Sequence, residues 1–137
     1  PGNDTDPVWD ADGQSVVFSS DRDSRGDLYR VRLDTRATTR LTRHFVGRAI
    51  MPATGPAGTR LAFAAQTLRM GAFWDFQVHL LDPRSGVTTA VAAEAGACWP
   101  SWSRDGRFLA HVSLGRDVPS TLRIHDVATG TSRPVPT

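Results

Sequence analysis

Lysine is absent from this 137-residue chain, and glutamate (Glu94), tyrosine (Tyr29) and cysteine (Cys98) occur once each. With one cysteine, an intramolecular disulfide and a four-cysteine metal site are both excluded. With one glutamate, an acid–base pair of glutamates is excluded, although a pair of aspartates is not. No apolar run approaches the roughly 18 residues needed to cross a bilayer as a helix. The opening residues, Pro1-Gly2-Asn3-Asp4, lack the basic patch and apolar stretch of a signal peptide, so none is expected in this sequence. Catalytic signatures are missing as well. There is no Gly-x-Ser-x-Gly elbow, no Walker A loop, no dinucleotide fingerprint and no His-Glu-x-x-His.

All 16 basic residues are arginines, set against 14 acids, for a net charge of +2. Arginine suits phosphate recognition, but here it is spread over the chain without a dense stripe, so no nucleic-acid partner is expected. The four histidines, His44, His79, His111 and His125, form no short paired motif such as His-x-x-x-His. Packing or solvent accounts for them more simply than a metal site, and no metal or cofactor is expected. Cys98, next to Trp99 in an apolar strand, reads as a small buried hydrophobe.

What the chain does have is a pattern that occurs three times. It runs Pro7-Val8-Trp9-Asp10-Ala11-Asp12-Gly13, Pro52-Ala53-Thr54-Gly55-Pro56-Ala57-Gly58 and Pro100-Ser101-Trp102-Ser103-Arg104-Asp105-Gly106. The closing glycines, Gly13, Gly58 and Gly106, are 45 and 48 residues apart. Shortly after each comes an apolar run: Ser15–Phe18, Arg60–Phe63 and Phe108–His111. A period of about 40–50 residues built from short strands is the signature of β-propeller blades. The predicted fold is all-β, with three four-stranded blades at about 1–45, 46–95 and 96–137 in a single module.

Each repeat divides into four strands. Strand a is expected at about 6–9, 50–54 and 98–102, and strand b at about 15–20, 60–65 and 107–113. Strand c follows at Leu28–Leu33, Phe76–Leu81 and Thr121–His125, each run ending in an aspartate: Asp34, Asp82 and Asp126. Strand d is expected near 38–42, 87–92 and 132–135. Gly86 and Gly130 supply the positive φ of the c–d turns. Strand b is nearly continuous in apolar character, as befits a strand covered on both faces. The aspartates of the a–b turns serve their own backbone. The segment Ser20–Asp27 has the acids of a calcium loop without its spacing and is expected to be a plain hairpin turn.

Pro-x-Trp-Ser/Asp-x-Asp-Gly, then Ser19-Ser20-Asp21-Arg22-Asp23, Asp27-Leu28-Tyr29 and Arg40-Leu41-Thr42, resembles the WD-like repeat of the TolB propeller family. Blade 1 matches along nearly its whole length, and blade 3 through Trp99–Gly106. Blade 2 is degenerate, with Thr54 in place of the tryptophan and Ala57 in place of the aspartate. The resemblance implies half of a six-bladed propeller, a periplasmic or extracellular location and protein partners. It also implies that the strand a tryptophans Trp9, Trp99 and Trp102 belong to the repeat. The separate N-terminal domain of family members is not expected in this chain. Related repeats occur, by resemblance, in the propellers of tricorn-type proteases and prolyl-oligopeptidase-like hydrolases, where a separate domain carries the catalysis. Nearly every residue here falls in a blade, so a non-catalytic binding module is expected.

Three blades cannot close a ring, and a terminal blade exposes a face built for contact. Three solutions stand open: a homodimer of two half-propellers, the remainder of a longer chain, or an open propeller. The binding face is expected on the d–a and b–c connections, at Arg43, His44, Phe45 and Arg48, continuing to Ala93–Ala97, and at Leu68, Arg69, Met70, Phe73 and Trp74. Aromatic, methionine and arginine side chains are enriched in interfaces. A protein is the expected partner; a carbohydrate at the channel mouth is the alternative.

Overall fold

The computed structural model describes residues 2–23, 25–66, 75–91, 96–115 and 117–137. Among them the turn chemistry does what its residues require. In the first a–b turn, Asp12 accepts N–H bonds from Gln14 and Ser15 at 2.8 Å, and Asp10 accepts one from Ala11 at 2.8 Å. In the third, Asp105 accepts from the Ser103 hydroxyl at 2.6 Å and from the Arg107 N–H at 3.1 Å. Blade 2 has Ala57 at this place, with no carboxylate to cap the turn, and a single 3-10 turn over Pro56–Gly58 takes over. Asp82 and Asp126 accept the N–H groups of Arg84 and Ala128 across the c–d turns, at 2.8 and 2.9 Å. Gly86 and Gly130 adopt φ of 74° and 70° there, as expected.

These turns connect three four-stranded antiparallel sheets in simple meander order. Blade 1 comprises β1 (Asp4–Trp9), β2 (Ser15–Ser20), β3 (Asp27–Arg32) and β4 (Thr38–Arg40). Blade 2 comprises β5 (Arg48–Thr54), β6 (Leu61–Gln66), β7 (Phe76–Leu81) and β8 (Thr88–Ala90). Blade 3 comprises β9 (Ala97–Trp102), β10 (Phe108–Ser113), β11 (Thr121–Asp126) and β12 (Thr131–Pro134). The first strand of each blade starts a residue or two earlier than expected, and β4 and β8 stop two residues sooner. Short outer strands limit the unpaired edge that each blade offers.

Neighbouring blades meet along β1, β5 and β9, while β4, β8 and β12 contact only their own sheets to any extent. The blades therefore fan out from an inner row of strands, the architecture of a propeller. Each blade has a rear face, toward its predecessor, and a forward face, toward its successor. Val17 and Leu28 of blade 1 share a buried cluster with Ala49, Leu61, Phe63, Ala65 and Leu81 of blade 2. Ala62, Val78 and Leu80 of blade 2 share another with Ala97 and Leu109 of blade 3, and Ile50, Ala64 and Phe76 a third with Cys98. Strand β6 thus buries alternate residues against both neighbours, which is why its sequence is apolar without a break. Cys98 is 1% exposed, and burial pushes its thiol up to about 11. It is a core atom, as expected.

A feature with no signal in apolar periodicity recurs in all three inner strands. Asp6, Met51 and Trp99 lie in the left-handed region, with φ of 51°, 54° and 50°. Each precedes a proline: Pro7, Pro52 and Pro100. At each, the register slips so that two residues oppose one of the next strand. Asp6-Pro7 faces Phe18, Met51-Pro52 faces Phe63, and Trp99-Pro100 faces His111. A bulge on an edge strand is where a sheet tolerates proline. A non-glycine residue held at positive φ costs about 1–3 kcal/mol, so three equivalent instances mark a built-in feature of the blade.

Candidate functional site

The connection from β4 to β5 carries the first group of expected binding residues. Its start is anchored by Thr42, 1% exposed. The Thr42 hydroxyl donates to Asp27 at 2.6 Å and accepts the Leu28 N–H at 3.0 Å. Asp27 is itself buried and pairs with Arg40 at 2.7 Å. A one-turn reversal follows, closed by the Phe45 N–H donating to the Thr42 carbonyl at 3.0 Å. Arg43 and His44 stand exposed on this reversal.

Phe45 does not join them. Its ring turns inward and meets Phe63 and His79 edge-on, with centroids 5.3 Å from each. Val46, 76% exposed, points out again. Gly47 has φ of 150°, and a Cβ there would lie 2.7 Å from the Gln66 carbonyl and 2.9 Å from the Phe45 ring. Only glycine lets the chain pass so close to β6. Arg48 is exposed and lays its stem over Gly26, where a Cβ would come within 2.9 Å of it. The result is a fixed surface strip of Arg43, His44, Val46 and Arg48, pinned from beneath by Phe45. Among the described residues, none of these three basic side chains has an ion-pair partner.

Leu68, Arg69, Met70, Phe73 and Trp74, and Ala93–Ala95 of the later connection, lie outside the described residues.

The acids of the first b–c connection are held within the hairpin. Asp21 accepts the Asn3 backbone N–H at 2.7 Å and its side-chain amide at 3.0 Å. Asp23 accepts the Tyr29 hydroxyl at 2.7 Å; burial and this carboxylate push the phenol up to about 12. Arg22 pairs with Asp4 at 2.7 Å and lays its guanidinium over Phe18 and Tyr29, 5.2 and 4.9 Å from their centroids. Asp21, Asp23 and Asp27 thus each have a partner within blade 1.

The histidines are dispersed. His111 and His125 are buried at the seam of blades 2 and 3, His79 lies against Phe45 and Phe63, and His44 is on the surface. No cluster of three metal-ligating side chains occurs among the described residues. At the opposite end of the fan, a groove of about 630 Å³ opens where β8 and β11 diverge, lined by Arg60, Leu80, Asp82, Val91, His125 and Val127. It lies on the a–b and c–d turn side, away from the Arg43–Arg48 strip.

Trp99 lies in the first strand of blade 3, as expected, but at a different place from Trp9 and Trp102. Register aligns Trp9, Thr54 and Trp102 as the residues opposite Val16, Leu61 and Leu109. Trp99 occupies the bulge, the place held by Asp6 and Met51, and is 52% exposed on the inner row. The signal that could have revealed it is the X-Pro dipeptide repeated three residues before Trp9, Thr54 and Trp102.

Three meander sheets fanned from an inner row of strands define a set of β-propeller blades. No protein-family model matches the chain, and no curated protein matches it. Among solved structures it is similar to TolB from Acinetobacter baumannii (TM-score 0.78, 22% identity), covering 94% of this chain and 31% of that one. It is similar also to a putative TolB from Agrobacterium tumefaciens (TM-score 0.79, 25% identity; 98% and 48% of the two chains). The β-propeller domain of the Trilobed protease from Pyrococcus furiosus, with an open velcro topology, matches at a TM-score of 0.72 and 18% identity, over 98% and 43% of the two chains. The fold is a TolB-like propeller, and the chain spans less than half the length of each of these structures.

Proposed function

We propose that the chain is a non-catalytic propeller module that binds a protein partner on its b–c and d–a loop face, within a ring completed by further blades. The observation that carries this reading is the strip of Arg43, His44, Val46 and Arg48, exposed yet rigidly seated by Phe45 and Thr42. A pre-set surface spends little ordering entropy on binding, and two unpaired guanidiniums beside an aliphatic residue favour an acidic peptide. Leu68, Arg69, Met70, Phe73 and Trp74 would extend this face. The further blades come from a second copy or from the rest of a longer chain. A periplasmic or extracellular setting agrees with the TolB-like fold.

The test is a panel of acidic, neutral and basic peptides titrated against the purified chain, the Arg43→Ser/Arg48→Ser variant and Trp74→Ala. Acidic peptides should bind the native chain and lose at least tenfold in affinity with the arginines removed. Equal binding by all three proteins would sink the proposal.

A carbohydrate at the channel mouth is the second reading, favoured by one observation: Trp99 is 52% exposed on the inner row, where a ring can stack on a sugar. A glycan panel read with Trp99→Ala separates it from the first. A third reading, the propeller domain of a hydrolase, draws on the likeness to the Trilobed protease domain.

A further inference from the structure

We infer that the groove between blades 2 and 3 binds a small amphipathic carboxylate, its apolar body on Leu80, Val91 and Val127 and its charged head at Arg60. The inference is independent of the loop face. Both walls of the groove belong to one seam inside the chain.

The groove exists because blade 2 departs from the repeat. Equivalent backbone bonds close the three a–b turns. The N–H groups of Asp10, Gly55 and Ser103 donate to the carbonyls of Ser15, Arg60 and Phe108, at 2.9, 2.8 and 2.9 Å. Gly55 therefore stands in the place of Asp10, and Arg60 in that of Ser15. On the forward faces, Val17 lies opposite Arg30 in blade 1, and Ala62 opposite Leu80 in blade 2. In blade 1 the Arg30 guanidinium meets the Asp10 carboxylate at 2.6 Å, and Asp10 is 7% exposed. That covered ion pair, with Val17 beside it, takes up room at the first seam. At the second seam the same places hold Leu80, Gly55 and Ala62, shorter side chains without charge. Nor does the turn admit a longer residue: a Cβ on Gly55 would lie 2.8 Å from the Arg60 carbonyl and 3.4 Å from the Trp102 ring. About 630 Å³ stays open as a result.

The floor of this groove is apolar. Leu80 and Val91 are 9% and 6% exposed, Val127 forms part of the facing wall, and Val87, 61% exposed, extends the apolar surface toward solvent. Pockets for small ligands span roughly 300–1,000 Å³, mostly apolar with a few placed polar groups. A second hollow of about 350 Å³, lined by Trp102 and Arg107 among others, adjoins the groove across Arg60 and Val127.

Charge selects the ligand. Asp82 lines the groove, but its carboxylate already accepts the N–H groups of Arg84 and Ser85. In the adjoining hollow Asp105 accepts from the Ser103 hydroxyl and the Arg107 N–H, and the Arg107 guanidinium pairs with Asp126 at 3.1 Å. Arg60 is exposed and, among the described residues, has no ion-pair partner. The unmatched charge is thus one guanidinium above an aliphatic floor. Its planar fork of donors fits a carboxylate, and the floor gains by covering hydrocarbon.

The test is calorimetric titration of octanoate, and of octanamide as its uncharged counterpart. The proteins are the native chain, Arg60→Gln and Thr89→Trp, each checked for native circular dichroism. Thr89 is an exposed residue of the groove wall, where an indole would fill the space. The native chain should bind octanoate about tenfold more tightly than octanamide, the scale of one hydrogen-bonded charge. Arg60→Gln should abolish that preference and keep the affinity for octanamide. Thr89→Trp should lose both ligands. A native chain that binds no octanoate overturns the inference, as does equal affinity for acid and amide. So does a preference that survives Arg60→Gln, or binding indifferent to Thr89→Trp. None of these outcomes touches the loop-face reading, which lies at the opposite end of the blades and is decided by the peptide panel.

Discussion

The ring of Phe45 stands edge-on to the imidazole of His79, at 5.3 Å and 72°. This contact fastens a surface connection of blade 1 to the third strand of blade 2. It links the strip that is proposed to bind a partner to the seam that holds two blades together. Both nitrogens of His79 are buried without a hydrogen-bond partner, so the neutral imidazole is the form the seam accepts.

Acidification should therefore weaken the fold through His79. The unfolded imidazole titrates near its ordinary value of 6.5, and burial lowers that value in the fold. Between the two, the unfolded chain binds the extra proton, so stability rises with pH in this window. It is complete above about 6.5 and declines as pH falls below it. The turn aspartates Asp12, Asp82 and Asp105 are held below the ordinary 3.8 by hydrogen bonds to their carboxylates, and so titrate outside the window. Melting at pH about 7.5 and about 5.5 should show Tm a few degrees lower in acid, and His79→Phe should remove most of that difference. An undiminished acid effect in the variant refutes the assignment.

Phe45→Ala should destabilise the chain by about 2 kcal/mol, below the range for a fully buried ring because Phe45 is only partly covered. The more telling consequence concerns binding. With its seat removed, the Arg43–Arg48 connection becomes mobile, and peptide affinity should drop although no charge has changed. Chemical denaturation together with peptide titration reads both effects. Lost stability with unaltered affinity would mean the strip does not depend on its seat.

Asp27→Ala should cost about 2–3 kcal/mol, since it leaves the Arg40 guanidinium and the Thr42 hydroxyl without their acceptor. Asp27→Asn keeps an acceptor for Thr42 and should cost less. Arg40 is 29% exposed, so water recovers part of the loss and holds the figure at the low end. Urea midpoints for the two variants rank them; equal losses would show that charge, not the Thr42 bond, matters.

Much of this architecture was legible because turns and strands signal locally. Gly13, Gly58 and Gly106 mark the a–b reversals, and the unbroken apolar run at Leu61–Ala65 announces a strand covered on both sides. The side on which a residue ends up is decided by long-range packing, and there sequence reasoning failed. Phe45 looks like a rim aromatic and is a wedge. Trp99 carried no sign of its exposure, because a slipped register at Pro100 moves it out of alternation. Trp9 and Trp102 hold the same register, yet Trp102 is half-buried against blade 2 while Trp9 is 63% exposed.

The pre-proline bulges give the inner row a particular design latitude. A residue outside the pairing ladder obeys neither face of its sheet, so its identity can change without moving the strand. Asp6, Met51 and Trp99 already sample a carboxylate, a thioether and an indole at one and the same position. Their left-handed backbone imposes the single veto, against branching at Cβ. Size, charge and aromaticity are open at the exposed points Asp6 and Trp99, while Met51 rests against the Ile50, Phe76 and Cys98 cluster and keeps an apolar side chain, so the row of strands is a rack of exchangeable side chains on an invariant frame at two of its three points.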